Sequence, residues 1–566
     1  IRELNQINGF YPNLKKENFV YSTKNKRNFI FFKCGIEKSS AGKNYFAEDQ
    51  DHILIYSGFS IDPTSKINAH RAEDILENFD QRKYELEGQT SLIRFNKRSF
   101  DLDIITDCLG MEQVYYYHKD NRFIISNSVH LIEKTIGYSQ LDLYGASYFL
   151  SIGWVASDNT LIKDIKVIKG GEHWFWKSDK QKINKKTYFD LLNNKIDTTQ
   201  VLKNSNIKLL SKKLSEYLLN IEQNFNLECP LTGGFDSRLV CAFLIHNKLK
   251  ADYYTAGSTE NNDVKIASLI AEKFNLKHTI YEINYDYLFS NWDNLVEKFT
   301  LQNNGMASLF QIFNVLTDNE SIGERGVRLA TYGAEFSRET YNRPFLWRAK
   351  IGKEDVYNYL CQRVLVNRNG LLTNDSIKIK KNFMNSFFDT YLDKGVDSRL
   401  IPELFYIFER TGRHHANHRG INKNAADIFS LFCTKTYLKE AFSVHPLDKA
   451  SNPIHYKILK SINKELFHLP NTHGRWPIQN RKMRQIWGNV KPIIKKRLSS
   501  TKSKSNSGSN SKPRISAYDH RRILETKLDE IKSVCLDQTN SELWSLIKRD
   551  KFENIISRKN KIENIN

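Results

Sequence analysis

The residues with the clearest chemical character form a glycine-rich loop, Thr232-Gly233-Gly234-Phe235-Asp236-Ser237. Two adjacent glycines let the backbone turn tightly, so that successive N–H groups can point at one anion. Ser237 adds a hydroxyl donor, and the carboxylate of Asp236 could hold a Mg²⁺ ion that neutralises phosphate groups. An ordinary glycine turn is the alternative interpretation. The complete loop favours a nucleotide site, and it is not a Walker loop because no Gly-Lys-Ser/Thr follows at the required spacing.

The glycine-rich loop (residues 232–237) lies within an alternation of predicted strands and helices. We predict strands over 227–231, 251–255 and 277–283, a helix over 238–247, and a second helix that Asp263 caps and that runs to Phe274. This order predicts a parallel sheet with right-handed crossovers. It also places the loop at the carboxyl end of a strand, where open parallel sheets bind ligands. Beyond Tyr285 the pattern becomes mostly helical.

A different pattern fills the region before the loop. From about residue 28 to residue 190, short β-rich runs alternate with turn residues, and few helical patterns interrupt them. Examples of these runs are residues 28–32, 52–56, 91–95 and 122–126. Such a pattern predicts an antiparallel, layered domain.

The last part of the chain changes character again. Residues 495–514 are rich in Ser and Lys and cannot bury enough apolar surface to offset the entropy cost of ordering. We predict a flexible basic linker there, followed by a tail with helical spacing from about Tyr518 to Ile556. A contact of this basic segment with an acidic partner, such as nucleic acid or an acidic glycan, is the alternative to a passive tether.

Composition limits the class of protein. The net charge of +21 attracts anions, but the lysines are spread along the chain, which is typical of a solvated surface. Seven scattered cysteines without a CxxC pair favour reduced thiols and a cytoplasmic protein, and the fifteen histidines form no metal-ligand pattern. No run of about 18 apolar residues occurs, so we predict no membrane span. A homodimer stays open.

The glycine-rich loop resembles the SGGxDS loop of the asparagine synthetase family, with Thr232 in place of the first serine. The likeness extends over roughly residues 28–470, and Tyr254-Thr255-Ala256-Gly257 is similar to the family segment that lies along the adenosine. The resemblance implies ATP and Mg²⁺ as cofactors. The nucleotide contacts that it implies come from Leu231, Thr232, Gly233, Gly234, Asp236, Ser237, Thr255, Gly257 and Gly333.

Residues 331–341 resemble the family's SGEGxDExxGGY segment. The alignment puts Glu335 on a metal-binding aspartate, which implies Asp236 and Glu335 as the metal ligands. It puts Tyr341 on the family's closing tyrosine. In relatives that close β-lactam rings, that tyrosine works with a carboxylate as the general base for the attacking amine, so Tyr341 and Glu335 are the implied catalytic residues. A buried tyrosine with a satisfied hydroxyl is the alternative. Tyr332 replaces a family glutamate, which argues against aspartate and ammonia as substrates.

The family has a lysine late in its sequence that stabilises the charge developing in the reaction. The position of this lysine aligns with Pro453. If no other cation replaces it, the resemblance implies slow or absent adenylation. The candidate replacements are Lys449, Lys457, Arg410, Arg413 and Arg419.

The region before the loop resembles the family's glutaminase domain, which has an N-terminal-nucleophile fold. The match is carried in order by residues 86–88, 107–110, 115–117, 126–128 and 168–171. That type of glutaminase needs a cysteine as its first residue, and Ile1 stands there. Cys34-Gly35-Ile36 reproduces the family's opening tripeptide, but Cys34 ends an apolar strand and is not expected to be a hidden terminus. Because Ser57-Gly58-Phe59 also replaces the family's Asn-Gly oxyanion element, we expect a domain that is retained for structure and does not hydrolyse glutamine.

The resemblance implies three parts. An α+β N-terminal-nucleophile-like layered sandwich occupies residues 1–195, an α/β parallel-sheet ATP pyrophosphatase (PP-loop) domain occupies 196–494, and a basic linker with a helical tail occupies 495–566. The implied activity is that of an AMP-forming carbon–nitrogen ligase related to β-lactam synthetases and lasso-peptide cyclases. It would adenylate a small-molecule, peptide or sugar-acid carboxylate, release pyrophosphate, and couple the acyl group to an amine from a source other than glutamine hydrolysis in the same chain.

Two alternatives stay open. A catalytically degenerate relative would bind a nucleotide or a partner without turnover, as Pro453 and the altered glutaminase residues suggest. Another enzyme with the same loop, such as an argininosuccinate-type ligase or a thiouridylase, would lack the glutaminase-like half, so we disfavour it.

Overall fold

The structure is a computed structural model. It describes residues 14–22, 28–36, 45–119, 122–180, 182–192, 204–316, 326–338, 340–422, 426–451, 454–472, 483, 486, 490 and 518–557, with the backbone alone over 14–22 and 28–36. Ile1, Pro453 and the linker over 495–514 lie outside the described residues.

The first half of the chain consists of antiparallel sheets, as predicted. Its strands are β1 (Leu14–Ser22), β2 (Asn28–Ile36), β3 (Phe46–Glu48), β4 (His52–Ile61), β5 (Glu87–Asn96), β6 (Leu102–Ile105), β7 (Tyr115–Lys119), β8 (Arg122–Ser126), β9 (Ile165–Val167), β10 (Glu172–Lys177) and β11 (Lys182–Thr187). Strands β1 and β2 pair as a hairpin, and the larger sheets have the orders β11-β10-β6-β5-β4-β3 and β8-β7-β9. Strand β2 runs to Ile36, so Cys34 lies inside it and not at its end, contrary to expectation.

Apolar side chains fill the space between the two larger sheets. Ile104 of β6 and Trp174 of β10 are buried against Val114 and Ile168. The helices of this half are α1 (Ala72–Glu77), α2 (Phe79–Arg82), α3 (Val129–Ile136) and α4 (Leu143–Ile152). Ile75 of α1 packs on the β4–β5 side, so the sheets and helices form successive layers.

The second half contains a parallel sheet. Its strands are β12 (Asn226–Pro230), β13 (Ala251–Ala256), β14 (His278–Tyr281), β15 (Gly326–Ala330) and β16 (Asp427–Ser430). They lie in the order β14-β13-β12-β15-β16, and every pairing is parallel. Helix α5 (Asn204–Glu222) precedes β12, α6 (Phe235–His246) joins β12 to β13, and α7 (Asn262–Lys273) joins β13 to β14. The predicted strand–helix alternation is therefore confirmed.

One predicted cap is wrong. The N-cap of α7 is Asn261, whose side chain accepts a hydrogen bond from the backbone N–H of Asp263 at 2.7 Å. Asparagine is as good an N-cap as aspartate, so the two neighbouring candidates could not be separated by residue type. The Asp263 carboxylate is thereby left to point toward another part of the fold.

Helices dominate the rest of the described chain. They are α8 (Tyr285–Ser290), α9 (Trp292–Gln302), α10 (Phe313–Leu316), α11 (Lys353–Val364), α12 (Asn374–Asp393), α13 (Ile401–Phe405), α14 (Ala416–Asn422), α15 (Lys435–Ser443), α16 (Pro446–Ser451), α17 (Ile454–Ile462), α18 (Lys464–His468), α19 (His520–Leu536) and α20 (Arg549–Ser557). A π-helix, Tyr406–His415, joins α13 to α14. No helix among the described residues combines the length and the apolar character needed to cross a membrane.

The tail packs on the helices of the second half. The ring of Tyr518 stacks on Phe313, with 4.8 Å between the ring centroids. Ile523 of α19 is 3% exposed and lies in an apolar cluster with Leu288 and Trp292. Further on, the backbone N–H of Thr373 donates to the carbonyl of Leu546 at 3.0 Å. The predicted helical tail is confirmed, and these contacts show where it packs.

Buried polar groups join the two halves. The Gln89 side chain of β5 donates to the Ser430 carbonyl at 3.1 Å and accepts from its N–H at 2.7 Å. The Glu87 carboxylate accepts from the N–H groups of Lys435 and Thr436 at the start of α15. These bonds fix the antiparallel region against the edge of the parallel sheet at β16.

Candidate functional site

The glycine-rich loop joins β12 to α6. Gly234 is the N-cap of α6, and no side chain of the described residues caps it. The first N–H groups of a helix have no partner within the helix, and together with the helix dipole they attract an anion. The start of α6 therefore offers donors to a ligand of negative charge.

Side chains of the loop hold its shape. The Ser237 hydroxyl oxygen accepts from the N–H of Thr232 at 3.1 Å and shares a hydrogen bond of 2.9 Å with the Thr232 hydroxyl. The Thr232 hydroxyl oxygen also accepts from the N–H of Gly234 at 3.2 Å. Both hydroxyl groups therefore brace the loop, whereas Ser237 was expected to act as a donor to the ligand.

Gly233 is surrounded closely. Its N–H donates to Asp263 Oδ1 at 3.1 Å, and its carbonyl accepts from the N–H of Thr472 at 3.0 Å. A Cβ atom at this position would lie 2.6 Å from the Thr472 side chain, so only glycine fits without a shift. The Asp263 carboxylate thus occupies, at this N–H, the kind of acceptor position that a phosphate oxygen would take.

The segment 331–341 begins at the neighbouring strand end. Strands β12 and β15 pair directly, so the chain after each strand emerges at the same edge of the sheet. Gly333 follows β15 with φ of 82°, and a Cβ there would lie 2.8 Å from the Cys433 sulfur. A 3-10 turn, Ala334–Ser337, comes next and carries Glu335 toward Asp236.

Arg338 is a cation that both Asp236 and Glu335 meet among the described residues. Nη2 of Arg338 donates to Asp236 Oδ2 at 2.6 Å. Burial first, and then the negative charge of Asp236, raise the pKa of Glu335 to about 7, while Arg338 opposes the shift. The Glu335 carboxyl therefore keeps its proton to a higher pH than an exposed glutamate does.

His455 of α17 holds Asp236 from the other side. Its Nε2 lies 2.9 Å from Asp236 Oδ1, and its Nδ1 contacts the Ser337 hydroxyl. The Ser337 hydroxyl also donates to the Ala334 carbonyl at 2.7 Å. Burial lowers the pKa of His455, and the Asp236 charge acts in the opposite direction.

Two tyrosines lie beside Glu335. Tyr406 acts to lower the pKa of Glu335 and so lies near its carboxyl, and burial raises the pKa of Tyr406. The Tyr341 ring meets the Tyr406 ring edge-on at 4.9 Å, and the Arg363 guanidinium lies 4.6 Å from the Tyr341 ring centroid. Tyr341 therefore borders the site, but the tyrosine that acts on the Glu335 carboxyl is Tyr406, which the sequence did not single out.

The adenosine-like segment is brought to the same edge. The Thr255 hydroxyl donates to the Leu231 carbonyl at 2.6 Å and also lies 2.8 Å from His278 Nε2. The N–H of Leu231 donates to the Tyr254 carbonyl at 2.8 Å, and that of Gly257 donates to the Tyr281 carbonyl at 2.9 Å. The nucleotide contacts implied by the resemblance are thus gathered at the carboxyl ends of β12, β13 and β15.

Three of the cations considered as substitutes for the late lysine have partners elsewhere. Lys449 pairs with the buried Glu403, Arg419 pairs with the buried Glu112, and Arg413 Nε donates to the Ser157 carbonyl at 2.7 Å.

The two remaining candidates for replacing the family's lysine, Arg410 and Lys457, lie in different surroundings. Arg410 acts electrostatically on Tyr406 and so lies near the site, whereas burial lowers the pKa of Lys457. Arg338 contacts Asp236, and sequence reasoning did not consider it. Its place in the same turn as Glu335 was the available signal.

The Asp236–Glu335 pair does not fit a Mg²⁺ ion. Mg²⁺ requires oxygen ligands in near-octahedral geometry. Both Asp236 oxygens instead face nitrogen atoms, those of Arg338 and His455. Across the part of the chain that the structure describes, no group of three or more His, Cys, Asp or Glu side chains could hold a metal ion.

The triphosphate of ATP fits the site better than the metal does. The N-terminus of α6 has no side-chain cap, and Nε of Arg338 is buried without a hydrogen-bond acceptor among the described residues. Both features offer donors to phosphate oxygens.

Comparison with known proteins gives one informative match. Residues 221–315 match the family model of asparagine synthase. No curated protein matches the chain. Among solved structures, the chain is similar to the glutamine phosphoribosylpyrophosphate amidotransferase of B. subtilis complexed with ADP and GMP, at 8% identity over 59% of this chain and 73% of that chain. The TM-score of 0.22 is too low to carry an argument.

The matched segment contains the glycine-rich loop and strands β12, β13 and β14. An asparagine synthase domain implies an ATP-dependent amidoligase in general. The match over residues 221–315 therefore supports an assignment to the asparagine synthetase family.

Proposed function

We propose that this chain is an AMP-forming carbon–nitrogen ligase that adenylates a substrate carboxylate and joins the acyl group to an amine. The observation that supports this most directly is the meeting of Asp236 and Glu335 at adjacent strand ends, inside or close to the matched domain. The loop and the start of α6 lie at the same edge, where parallel sheets bind ligands.

The reaction has two steps. In the first, a carboxylate oxygen of the substrate attacks the α-phosphorus of ATP, the bond to the β-phosphate oxygen breaks, and pyrophosphate leaves. In the second, the amine nitrogen attacks the acyl carbon, the bond to the phosphate oxygen breaks, and AMP leaves. The amine gives up one proton. Positioning of the reactants and stabilisation of developing charge provide most of the rate increase in such a reaction.

The chain's own residues would divide these tasks. The start of α6 and Arg338 would bind the phosphate oxygens, and Leu231, Thr255, Gly257 and Gly333 would border the nucleotide. A carboxyl with a pKa of about 7 can accept a proton from an amine near neutral pH, so Glu335 is the proposed base.

A tyrosine would assist Glu335. Tyr406 is the candidate for this role, because it acts on the pKa of the Glu335 carboxyl and Tyr341 packs beside it. Tyr341 remains the proposal that the family resemblance gives. Both can be tested by removing a single hydroxyl group.

The amine would not come from glutamine hydrolysis within this chain. Among the cysteines whose side chains are described, Cys108 is the one in the antiparallel region. It is buried, burial raises the pKa of its thiol, and its sulfur contacts the Cys433 carbonyl. Such a thiol is a poor nucleophile. We propose that residues 1–195 form a structural domain, residues 196–494 the synthetase domain, and residues 495–566 the linker and tail.

Exchange of labelled pyrophosphate into ATP tests the first step. The acids offered would be amino acids, peptides and sugar acids, and AMP would be measured after an amine is added. Asp236→Asn should abolish exchange, whereas Asp293→Asn, which also changes an aspartate in the first turn of a helix, should not. Tyr406→Phe should slow AMP-linked amide formation more than exchange, because the base acts in the second step. Asp236→Asn and Asp293→Asn with equal exchange rates would contradict the assignment.

A second candidate is a degenerate relative that binds a nucleotide or a partner without turnover. The observation in its favour is that Asp263 already accepts from Gly233 and Arg338 already neutralises Asp236. Stabilisation by ATP in a thermal-shift titration, with no acid supporting pyrophosphate exchange, would favour this candidate over the ligase.

A further inference from the structure

The carboxylate pair of Asp236 and Glu335 carries its own counter-ion. The Arg338 side chain is 28% exposed and that of Asp236 is 20% exposed, so their hydrogen bond of 2.6 Å is largely shielded from water. A charge-assisted bond in such surroundings is stronger than one at the surface. Arg338 also follows Glu335 by only three residues, so one turn places its charge between both acids.

His455 and Ser337 make this arrangement specific. The imidazole is 1% exposed and joins Ser337 to the second oxygen of Asp236. Both oxygens of Asp236 are therefore oriented by nitrogen atoms from two different elements. A divalent cation could take the place of Arg338 at Oδ2 of Asp236 only if the guanidinium moved away.

The Arg338 guanidinium has more hydrogen-bond donors than Asp236 uses. A guanidinium carries five N–H donors in a planar fork that suits phosphate as well as carboxylate. Nη2 is used by Asp236, whereas Nε is buried and meets no hydrogen-bond acceptor within the described part of the chain. A buried donor without an acceptor is costly unless a ligand supplies one. The phosphate groups of a nucleotide at the neighbouring loop have the oxygen atoms to do so.

We propose that Arg338, oriented by Asp236, takes the place of the divalent cation at this carboxylate pair and contacts the phosphate groups of the bound nucleotide directly. This inference rests on the proposed function for the identity of the ligand, but not for the exclusion of the metal. It means that the site binds the nucleotide without a metal ion bridging it to Asp236 and Glu335.

The exclusion of the metal is tested with Mn²⁺ alone, followed by its electron paramagnetic resonance. At Mn²⁺ concentrations that leave the native protein unoccupied, Arg338→Gln should bind Mn²⁺ with an affinity about tenfold higher, because the two acids have lost the arginine cation. Arg399→Gln is the matched control, since it breaks another Arg–Asp pair of similar exposure and should behave like the native protein. Mn²⁺ bound to the native protein and lost in Asp236→Asn would overturn the proposal.

The contact with phosphate is tested by titrating ATP in Mg²⁺ and in EDTA. The native protein should bind ATP in EDTA within about threefold of its affinity in Mg²⁺, and Arg338→Gln should lose affinity mainly in EDTA. Arg338→Lys retains the charge and serves if the glutamine variant does not fold. Native binding that requires Mg²⁺ would overturn the inference. Absence of ATP binding in both buffers would instead overturn the proposed function, and the Mn²⁺ result would still stand.

Discussion

Lys380 is a buried cation with no acid beside it among the described residues. It lies in α12, is fully buried, and its Nζ is 3.0 Å from the Ser151 hydroxyl of α4. Burial lowers the pKa of Lys380 from 10.5 to about 8. At neutral pH the folded protein therefore carries an ammonium group in surroundings that disfavour its charge.

The magnitude follows from the two pKa values. The difference between a pKa of 10.5 and one of about 8 corresponds to about 3 kcal/mol. The charged Lys380 destabilises the folded protein by this amount at neutral pH. Between pH 8 and 10.5 the unfolded chain binds more protons at this position than the folded chain, so stability should rise with pH. Lys380→Met keeps the apolar stem and removes the charge. The substitution also removes the hydrogen bond to Ser151. We therefore expect Lys380→Met to raise the free energy of unfolding at pH 7 by about 2 kcal/mol in total.

Urea denaturation at pH 7 and at pH 10.5 measures this effect. The gain from Lys380→Met should be present at pH 7 and absent at pH 10.5. Lys381→Met is the matched control, because Lys381 is the next residue of α12 and is exposed. A Lys380→Met protein less stable than the native one at pH 7, or a gain of equal size at both pH values, would refute the assignment of the penalty to a buried charge.

Three other changes have expected outcomes. Arg419→Leu should lower the free energy of unfolding by about 4 kcal/mol, because the Glu112 carboxylate is buried and loses its cation. Loss of the Glu335 proton should lower stability by about 3 kcal/mol as the pH rises from 4.5 to 7, because the folded chain holds this proton more tightly than the unfolded chain, and Glu335→Gln should remove this contribution from the total pH dependence. Asp263→Ala should tighten ATP binding about tenfold in isothermal titration calorimetry, because it frees the N–H of Gly233 and removes a competing carboxylate.

Each of these three predictions has a result that would contradict it. Urea denaturation should show a smaller loss for the Glu112→Gln, Arg419→Leu double variant than for Arg419→Leu alone, and equal losses would exclude the buried charge as the cause. A pH dependence of stability in Glu335→Gln equal to that of the native protein would assign the effect to other groups. Weaker ATP binding in Asp263→Ala would mean that this carboxylate positions the loop instead of competing with the ligand.

The parts of the fold that could be predicted are those that local sequence determines. The strand–helix alternation around the loop follows from short apolar runs and turn residues, and it is confirmed from β12 to β14. Long-range partners could not be predicted in the same way. Arg338 and His455 are separated from Asp236 in the sequence by more than one hundred residues, and local periodicity carries no information about such pairs. The same limit explains why the sequence predicts a catalytic role for Tyr341, which lies in a recognisable segment, but not for Tyr406.

Charges around the glycine-rich loop balance one another before any ligand binds. Asp263 accepts from Gly233 as a phosphate oxygen would, and Arg338 contacts Asp236 as a cation would. A nucleotide that binds here must replace the Asp263 carboxylate, whose hydrogen bond contributes about 2 kcal/mol. In return, the buried Nε of Arg338 gains an acceptor. The affinity for ATP then depends on the difference between the free energy lost at Asp263 and the free energy gained at Arg338. For this reason Asp263→Ala and Arg338→Gln should change ATP binding in opposite directions.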